Sequence, residues 1–405
     1  MLEGTKQPEA ASALKVLLPD LLASFTCDKC GECCSVWDVP VDRDAYDRAV
    51  AALGREAARH IEIVDAESHF GYARLRLADG ACPFQDGNLC SIHRDFGEEV
   101  LFPECRKFPR ILYRSPLGLH CTASFACGKT LETLAAGRRV RVLHVMSDAL
   151  SFPPELCDTH IDEPPCLCRG KGLTWEALFS LEHGFLEILR GNGRSPEHRL
   201  LTMIEIVRNL SRVDEAPLDN DAVDRELLAA RVDGFGELNS RFLLAASDID
   251  AQIDFILSML GAQLKAGPRR PWEIIPLDAG FSRWSGLSGR ERSRRFIDDY
   301  RRFCLPACDD VMRVVENYLV CRVSCNPDFV MRDVQSGLEA VAALLTLVRA
   351  VAVALAAAAD SPVTSPIMLD AIRAVDTAFF HLPDFADCVK RCGVDSSSLL
   401  IVTPA

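Results

Sequence analysis

Residues 25–34 read Phe-Thr-Cys-Asp-Lys-Cys-Gly-Glu-Cys-Cys, which puts Cys27, Cys30, Cys33 and Cys34 within eight positions. Two residues between thiols let a tight turn aim two sulfurs at one metal, and a glycine such as Gly31 relieves the backbone there. Cys33 and Cys34 complicate that geometry, because neighbouring side chains diverge, which leaves one of the two available for a second site. Eighteen cysteines in 405 residues fall below the density of a disulfide scaffold. Residues 1–24 carry Glu3, Lys6, Glu9, Lys15 and Asp20, so no apolar core of a secretory signal precedes the cluster. The expectation is a reducing cytoplasmic setting, where clustered cysteines read as metal or iron–sulfur ligands before they read as disulfides.

Length points to two domains, and a chain 49% apolar and 25% charged is an ordinary globular one. A net charge of −13 would repel a phosphate backbone, so nucleic acid is a poor partner. A basic protein surface or a lysine side chain matches it better, although moderate acidity is also what any soluble protein shows. Ala340 to Ala359 imitates a membrane span, apolar except for Thr346 and Arg349. A mid-span Arg costs roughly 2.5–3.5 kcal/mol on insertion scales, and so Ala-rich a stretch offers little to offset it. It reads as a buried helix with no membrane span.

The fold class expected is mostly α, with a small α+β cysteine-rich metal-binding domain followed by an all-helical domain. The boundaries are an N-terminal helical leader over 1–24, the cysteine-cluster domain over 25–140, a connecting segment over 141–172 and the helical domain over 173–405. Leu14, Leu17, Leu18, Leu21 and Leu22 have helical spacing within the leader, over residues 7–24. Val36, Val39 and Val41 around Pro40 suggest an extended edge segment. Asp42 reads as the cap of a helix over 43–58, followed by a loop through His60 and His69. Residues 72–77 alternate as a half-wet strand, and Asp86-Gly87 marks a hairpin that brings Cys82 and Cys90 together. Two buried structural cysteines are the other reading of that pair. From about 141 onward helix follows helix. Thr174, Ser195 with Pro196, Asp248, and Ser365 with Pro366 open helices, and Gly191 and Gly193 close the first.

Three further pairs stand at i and i+4: Cys304 with Cys308, Cys321 with Cys325 and Cys388 with Cys392. Free Cys packs as a small apolar residue, and that reading is preferred to a second metal site there. Four thiolates around Zn²⁺, or around a four-iron cluster, leave a net charge of about −2, which Arg106, Lys107 and Arg110 can offset. Surplus cysteines and few local histidines favour iron over zinc. The radical-SAM loop C-x3-C-x2-C is absent, since Val311 stands where its third cysteine would follow Cys304 and Cys308. No glycine-rich strand-turn-helix for a cofactor is present either.

The order C-x2-C-x2-C-C, then Cys82-Pro83-Phe84 with a turn to Leu89-Cys90-Ser91-Ile92-His93, then Cys105-Arg106-Lys107-Phe108-Pro109-Arg110, resembles the cysteine-cluster family of zinc- or iron-chelating domains over residues 25–127. Within it the chain is most similar to flagellin lysine N-methylases. That similarity runs through Cys33-Cys34-Ser35-Val36-Trp37-Asp38-Val39-Pro40-Val41-Asp42, the 97–110 stretch and Glu316-Asn317-Tyr318-Leu319-Val320. The resemblance implies an iron–sulfur cluster, 4Fe-4S with zinc as the alternative, and methyl transfer from S-adenosylmethionine (SAM) to a lysine on a protein partner such as flagellin. The candidate metal ligands are Cys27, Cys30, Cys33, Cys34, Cys82, Cys90, Cys105 and Cys127, with Cys121 the rival of Cys127. Arg106 and Arg110 are the candidate cofactor contacts. Lysine, with a pKa of about 10.4, must lose its proton before it attacks. Tyr46, Asp42 and Tyr318 are eligible acceptors, each with a structural role as the plainer reading, and no catalytic residue is assigned. A metal-carrying or redox protein without methyl transfer and a zinc-stabilised interaction module are the competing classes.

Overall fold

The chain was analysed as a computed structural model that describes residues 14–400, apart from 36–37, 65–71, 79, 192–193, 215–216, 233–245, 267–270, 383 and 394–399. Val36, His69, Gly193 and the start of the expected leader helix lie outside the described residues. The rest of that leader is a strand. β1 (Lys15–Pro19) lies between two neighbours, parallel to β8 (Gly118–Ala123) and antiparallel to β9 (Val142–Met146), and β8 in turn pairs with β7 (Arg110–Ser115). The leucine spacing fits a helix, but Val16, Leu17, Leu18 and Pro19 are all buried, the continuous apolar run of a strand covered on both faces. Only α1 (Asp20–Ala23) is helical. Asp20 ends the strand by accepting from the Arg141 N–H at 3.2 Å and from Arg138 Nη1 at 3.2 Å. Gly118, at φ +133°, meets the Lys15 carbonyl too closely for any Cβ, and this permits the β1–β8 approach.

Helices do not begin directly after residue 141. β9 extends the same sheet, and a ribbon of β10 (Cys166–Cys168) and β11 (Lys171–Gly172) follows before the helices begin. A three-stranded sheet, in the order β2 (Val39–Val41), β4 (Ala73–Leu75), β3 (Ile61–Ile63), accounts for the expected edge segment and half-wet strand. β3 occupies part of the stretch expected as a loop. Asp42 caps α2 (Arg43–Leu53), accepting from the Ala45 N–H at 2.7 Å, and Gly54 at φ +58° breaks it from α3 (Arg55–His60). The hairpin is present as β5 (Gln85–Asp86) and β6 (Leu89–Cys90), with Gly87 at φ +60°. α4 (Ser91–Phe96), α5 (Pro103–Lys107) and α6 (Gly128–Leu134) complete the cysteine-rich part.

The chain is thus mostly helical, a small α+β cysteine-rich part preceding a helical one. The expected caps hold at Trp175–Arg190, where Thr174 accepts from Ala177 N–H at 3.1 Å, and at Pro196–Ser211, where Ser195 accepts from His198 N–H at 3.4 Å. The membrane-like stretch is the helix Val334–Ala358, 89% of whose most apolar window is buried within the protein. Arg349 is tolerated there because its Nε donates to the Glu197 carboxylate at 2.8 Å. One large apolar core runs from Val16 through β8 to this helix and on to Leu400. A second, small one gathers Val41, Ala45, Ile61, Leu75, Phe84, Ile92 and Phe102.

The two parts are pinned together by polar contacts at the end of β8. Thr122 Oγ1 donates to the Cys321 carbonyl at 2.7 Å, and the Phe125 N–H donates to Asp376 at 2.8 Å. Asp376 pairs with the fully buried Arg322 at 3.2 Å, whose guanidinium lies 3.6 Å from the Phe380 ring centre. Asp376 also begins a π-helical turn, Asp376–Phe380, on the segment joining the helices Ser365–Val375 and Phe385–Arg391.

Glu182 is buried with one carboxylate oxygen unpartnered, and burial pushes its carboxyl up to about 8 from an ordinary 4.5. An acid raised in the folded state binds its proton there while the unfolded chain releases it. Stability therefore falls by about 1.4 kcal/mol per pH unit as pH rises through that window. Glu182→Gln is expected to melt above the wild type at pH 7.5, with the difference shrinking toward pH 4.5; a pH-independent difference between the melting curves would contradict this assignment.

Candidate metal centre

The cysteine run is held from two directions. At the start of α6, Lys129 pairs with Asp28 at 2.8 Å, and Gly128 leaves room for Glu32, whose Oε2 would stand 2.9 Å from a Cβ there. Arg373 donates to the same Glu32 oxygen at 2.6 Å, tying the run to the helical part. From the hairpin, the Cys82 N–H donates to the Cys34 carbonyl at 2.8 Å. Gly31, at φ +73°, takes a conformation that L side chains rarely adopt, and a Cβ there would displace the Gln85 side-chain amide. Between these anchors Glu32–Ser35 forms a 3₁₀ turn.

All eight candidate ligands lie in this region. The Cys33 thiol is hydrogen-bonded to that of Cys34, which raises Cys33; burial and the nearby Cys127 and Cys27 raise it further. The same hydrogen bond lowers Cys34 to about 7. Burial raises Cys82 to about 11, with Cys34 and Cys90 adding to it. Burial of the sulfur also raises Cys105, helped by Cys82, Cys34 and Cys90, although the residue as a whole is exposed. Cys127 is raised by burial and by Cys30 and Cys27. Main-chain amides oppose this. The Lys29 N–H donates to Cys27 Sγ at 3.3 Å, and the amides two and three residues on face Cys82, Cys90 and Cys127. Amides aimed at sulfur stabilise a thiolate, the form that ligates a metal.

Among the described residues, no three His, Cys, Asp or Glu side chains are already drawn together tightly enough to hold a metal ion. The donor set nevertheless fits one. It consists of thiols gathered on short turns, and at Cys27, Cys82, Cys90 and Cys127 the turn presents amides to sulfur. A cation at the centre offsets both the burial of the charged sulfurs and their mutual repulsion, so ligation and closure are coupled. Zn²⁺ and iron–sulfur clusters both accept four thiolates.

Cys121 and Cys127 separate clearly. Cys121 is wholly buried in the main core on β8, its thiol raised to about 12 by burial, with Arg110 opposing and Cys157 adding. Cys127 stands beside the first run. Cys321 and Cys325 are buried in or beside the same core, where thiols pack as apolar groups. Cys304 is buried while Cys308 is exposed, so that pair shares no face. Arg110 reaches between the core and the thiols: its Nη2 donates to the Phe25 carbonyl at 3.2 Å and its guanidinium lies 4.4 Å from the Phe152 ring centre. Arg106 faces Glu98 at 3.7 Å.

Residues 26–117 match the family model CxxCxxCC, described as "Putative zinc- or iron-chelating domain". No curated protein and no solved structure matches the chain. The matched stretch contains seven of the eight candidate thiols, Cys127 lying beyond it. The structure supplies the eighth by folding α6 back on the run.

The sequence did not reveal a cavity of about 410 Å³ beside Cys105. Glu104, Lys107, Arg110 and Tyr113 line one side of it, and Asn326, Asp328, Leu344, Phe380, His381 and Phe385 the other. Arg106 is not among the lining residues. Of the acceptors considered, Asp42 is occupied as a helix cap, Tyr46 packs edge-on against Tyr72 at 5.4 Å, and Tyr318 is buried with its hydroxyl pushed up by burial. None lines the cavity, whereas Asp328 does, its carboxyl raised by burial. No motif marks Asp328; it becomes visible only when the helices close over α5.

Cys127→Ser is expected to lower bound metal per purified chain and Cys121→Ser to leave it unchanged, read by elemental analysis alongside circular dichroism. Metal loss in Cys121→Ser alone would reverse the two assignments.

Proposed function

We propose that the chain is an iron–sulfur protein that transfers a methyl group from SAM to lysine on a protein partner, flagellin being the substrate class to which the motif resemblance points. The observation that carries this reading is the cavity bounded by the cysteine-bearing helix α5. Its volume lies within the range of small-molecule sites, and it combines apolar walls with a few convergent polar groups. The surplus of thiols supports iron over zinc, and the net charge of −13 suits a basic partner and a cytoplasmic protein.

SAM, when bound, supplies an electrophilic methyl on a sulfonium. The protein has to admit a lysine side chain, remove its proton and exclude water. Leu344, Phe380 and Phe385 give the cavity apolar walls, which favour the neutral amine. Asp328, raised by burial and 3.4 Å from Arg332, is placed to take the proton at a carboxylate oxygen. Arg110 offers a guanidinium to an anionic group in the same cavity. The thiolate centre holds α5, and with it Glu104 and Lys107, against the rim.

Calorimetry on anaerobically purified, metal-loaded protein is expected to show SAM binding. Mass spectrometry is expected to show a methyl-sized gain on partner lysines. Asp328→Asn should retain SAM binding and lose transfer by roughly 10²-fold or more. Failure of the metal-loaded protein to bind SAM would end the methyl-transfer reading, and stoichiometric zinc without acid-labile sulfide would end the iron assignment.

A further inference from the structure

We propose that the eight thiols build two separate metal sites, one from Cys27, Cys30, Cys33 and Cys127 and the other from Cys34, Cys82, Cys90 and Cys105. This deepens the metal-centre reading and rests on it, but it is independent of methyl transfer.

The division follows the anchors of the cysteine run. Residues 27–33 face the start of α6, where Asp28 pairs with Lys129 at 2.8 Å and Glu32 fills the space over Gly128, and Cys127 immediately precedes that point. Cys34 faces the hairpin, whose Cys82 amide binds its carbonyl at 2.8 Å. Gln85 pairs with Cys90 across the hairpin, which sets Cys82 and Cys90 on one short loop, and Cys105 comes to it on α5. Cys127 has Cys30 and Cys27 as neighbours and Cys105 has Cys82, Cys34 and Cys90, and the contact that crosses the division is the one between the adjacent Cys33 and Cys34.

Cys33 and Cys34 form the boundary. They stand in a 3₁₀ turn, where three residues complete a revolution, so consecutive side chains leave the axis about 120° apart. Two such thiols can touch, as these do, yet cannot both complete one tetrahedral shell while Cys27 and Cys30 reach it from one side and Cys82 and Cys90 from the other. Each site also has its own turn chemistry and its own cation. Amides two residues on face Cys27 and Cys127 in the first and Cys82 and Cys90 in the second. Arg110 lies near Cys127, and Arg94, itself paired with Asp86 and Asp95 at 2.7 Å, near Cys90. Four thiolates around a divalent ion leave each site a charge of about −2, which a nearby guanidinium offsets in part.

The test uses the full chain, stripped of its metal by a chelator and reloaded anaerobically with Zn²⁺ alone, with metal per chain measured together with alkylation mapping of every cysteine. Two zinc equivalents are expected. Cys33→Ser should drop this to one and open Cys27, Cys30 and Cys127 to alkylation while Cys82, Cys90 and Cys105 stay protected; Cys34→Ser should give the opposite map. Cys30→Ser and Cys90→Ser, placed away from the shared turn, repeat the comparison should either of the first pair misfold. A wild-type content of one equivalent, or any of these substitutions unprotecting both groups together in a folded chain, overturns the partition in favour of one joined centre. A wild type that binds no zinc and no iron overturns the metal reading itself, and neither result depends on whether SAM binds.

Discussion

Thiols crowded into a small, partly buried volume resist ionisation, because burial disfavours the charged sulfur and each thiolate raises the cost of the next. Amides at the starts of α4 and α6, Arg94 and Arg110 soften that cost, and a metal cation would offset it. The energy of metal binding in such a region is energy of local folding. The short elements here fit that dependence: β5 and β6 are two residues each and α5 is five, too little structure to stand by themselves.

The helical part contributes a rigid wall. The helix Val334–Ala358 is buried along nearly its whole length, and its one buried charge, Arg349, is matched by Glu197. Against it the sheet is fixed through Thr122, Phe125, Asp376 and Arg322, a buried pair that positions more than it stabilises. The π-helical turn at Asp376–Phe380 brings Phe380, and His381 after it, to the cavity wall, where His381 meets Ser124 at 2.8 Å. Arg373, one turn earlier, binds Glu32 in the cysteine run. One segment thus touches both the cysteine run and the cavity.

Much of this was legible locally. Spacing singled out the run Cys27, Cys30, Cys33 and Cys34, Asp42, Thr174 and Ser195 announced their helices, and Asp86-Gly87 announced the hairpin, because turns and caps are decided by a few adjacent residues. Arg349 kept the Ala-rich stretch from being read as a membrane span, and its partner Glu197 is 152 residues away. Leu17 and Leu18 misled, since a short apolar run fits a helix and a covered strand equally well until its neighbours are known. The residues of β8 and β9 that decided the matter lie more than 100 positions away.

What the sequence determined by itself is the chemistry: thiol ligands in excess, an acidic chain, a small cysteine-rich part followed by helices. Which thiol stands beside which was decided only by the tertiary structure. Cys127 joins the first run because α6 packs back on it, and Cys121 is withdrawn because β8 is buried along its whole length. The cavity and Asp328 likewise exist only where α5, β7 and distant helices meet. Ligand type is a property of single residues, whereas ligand grouping depends on the direction of each side chain, and long-range packing sets that direction.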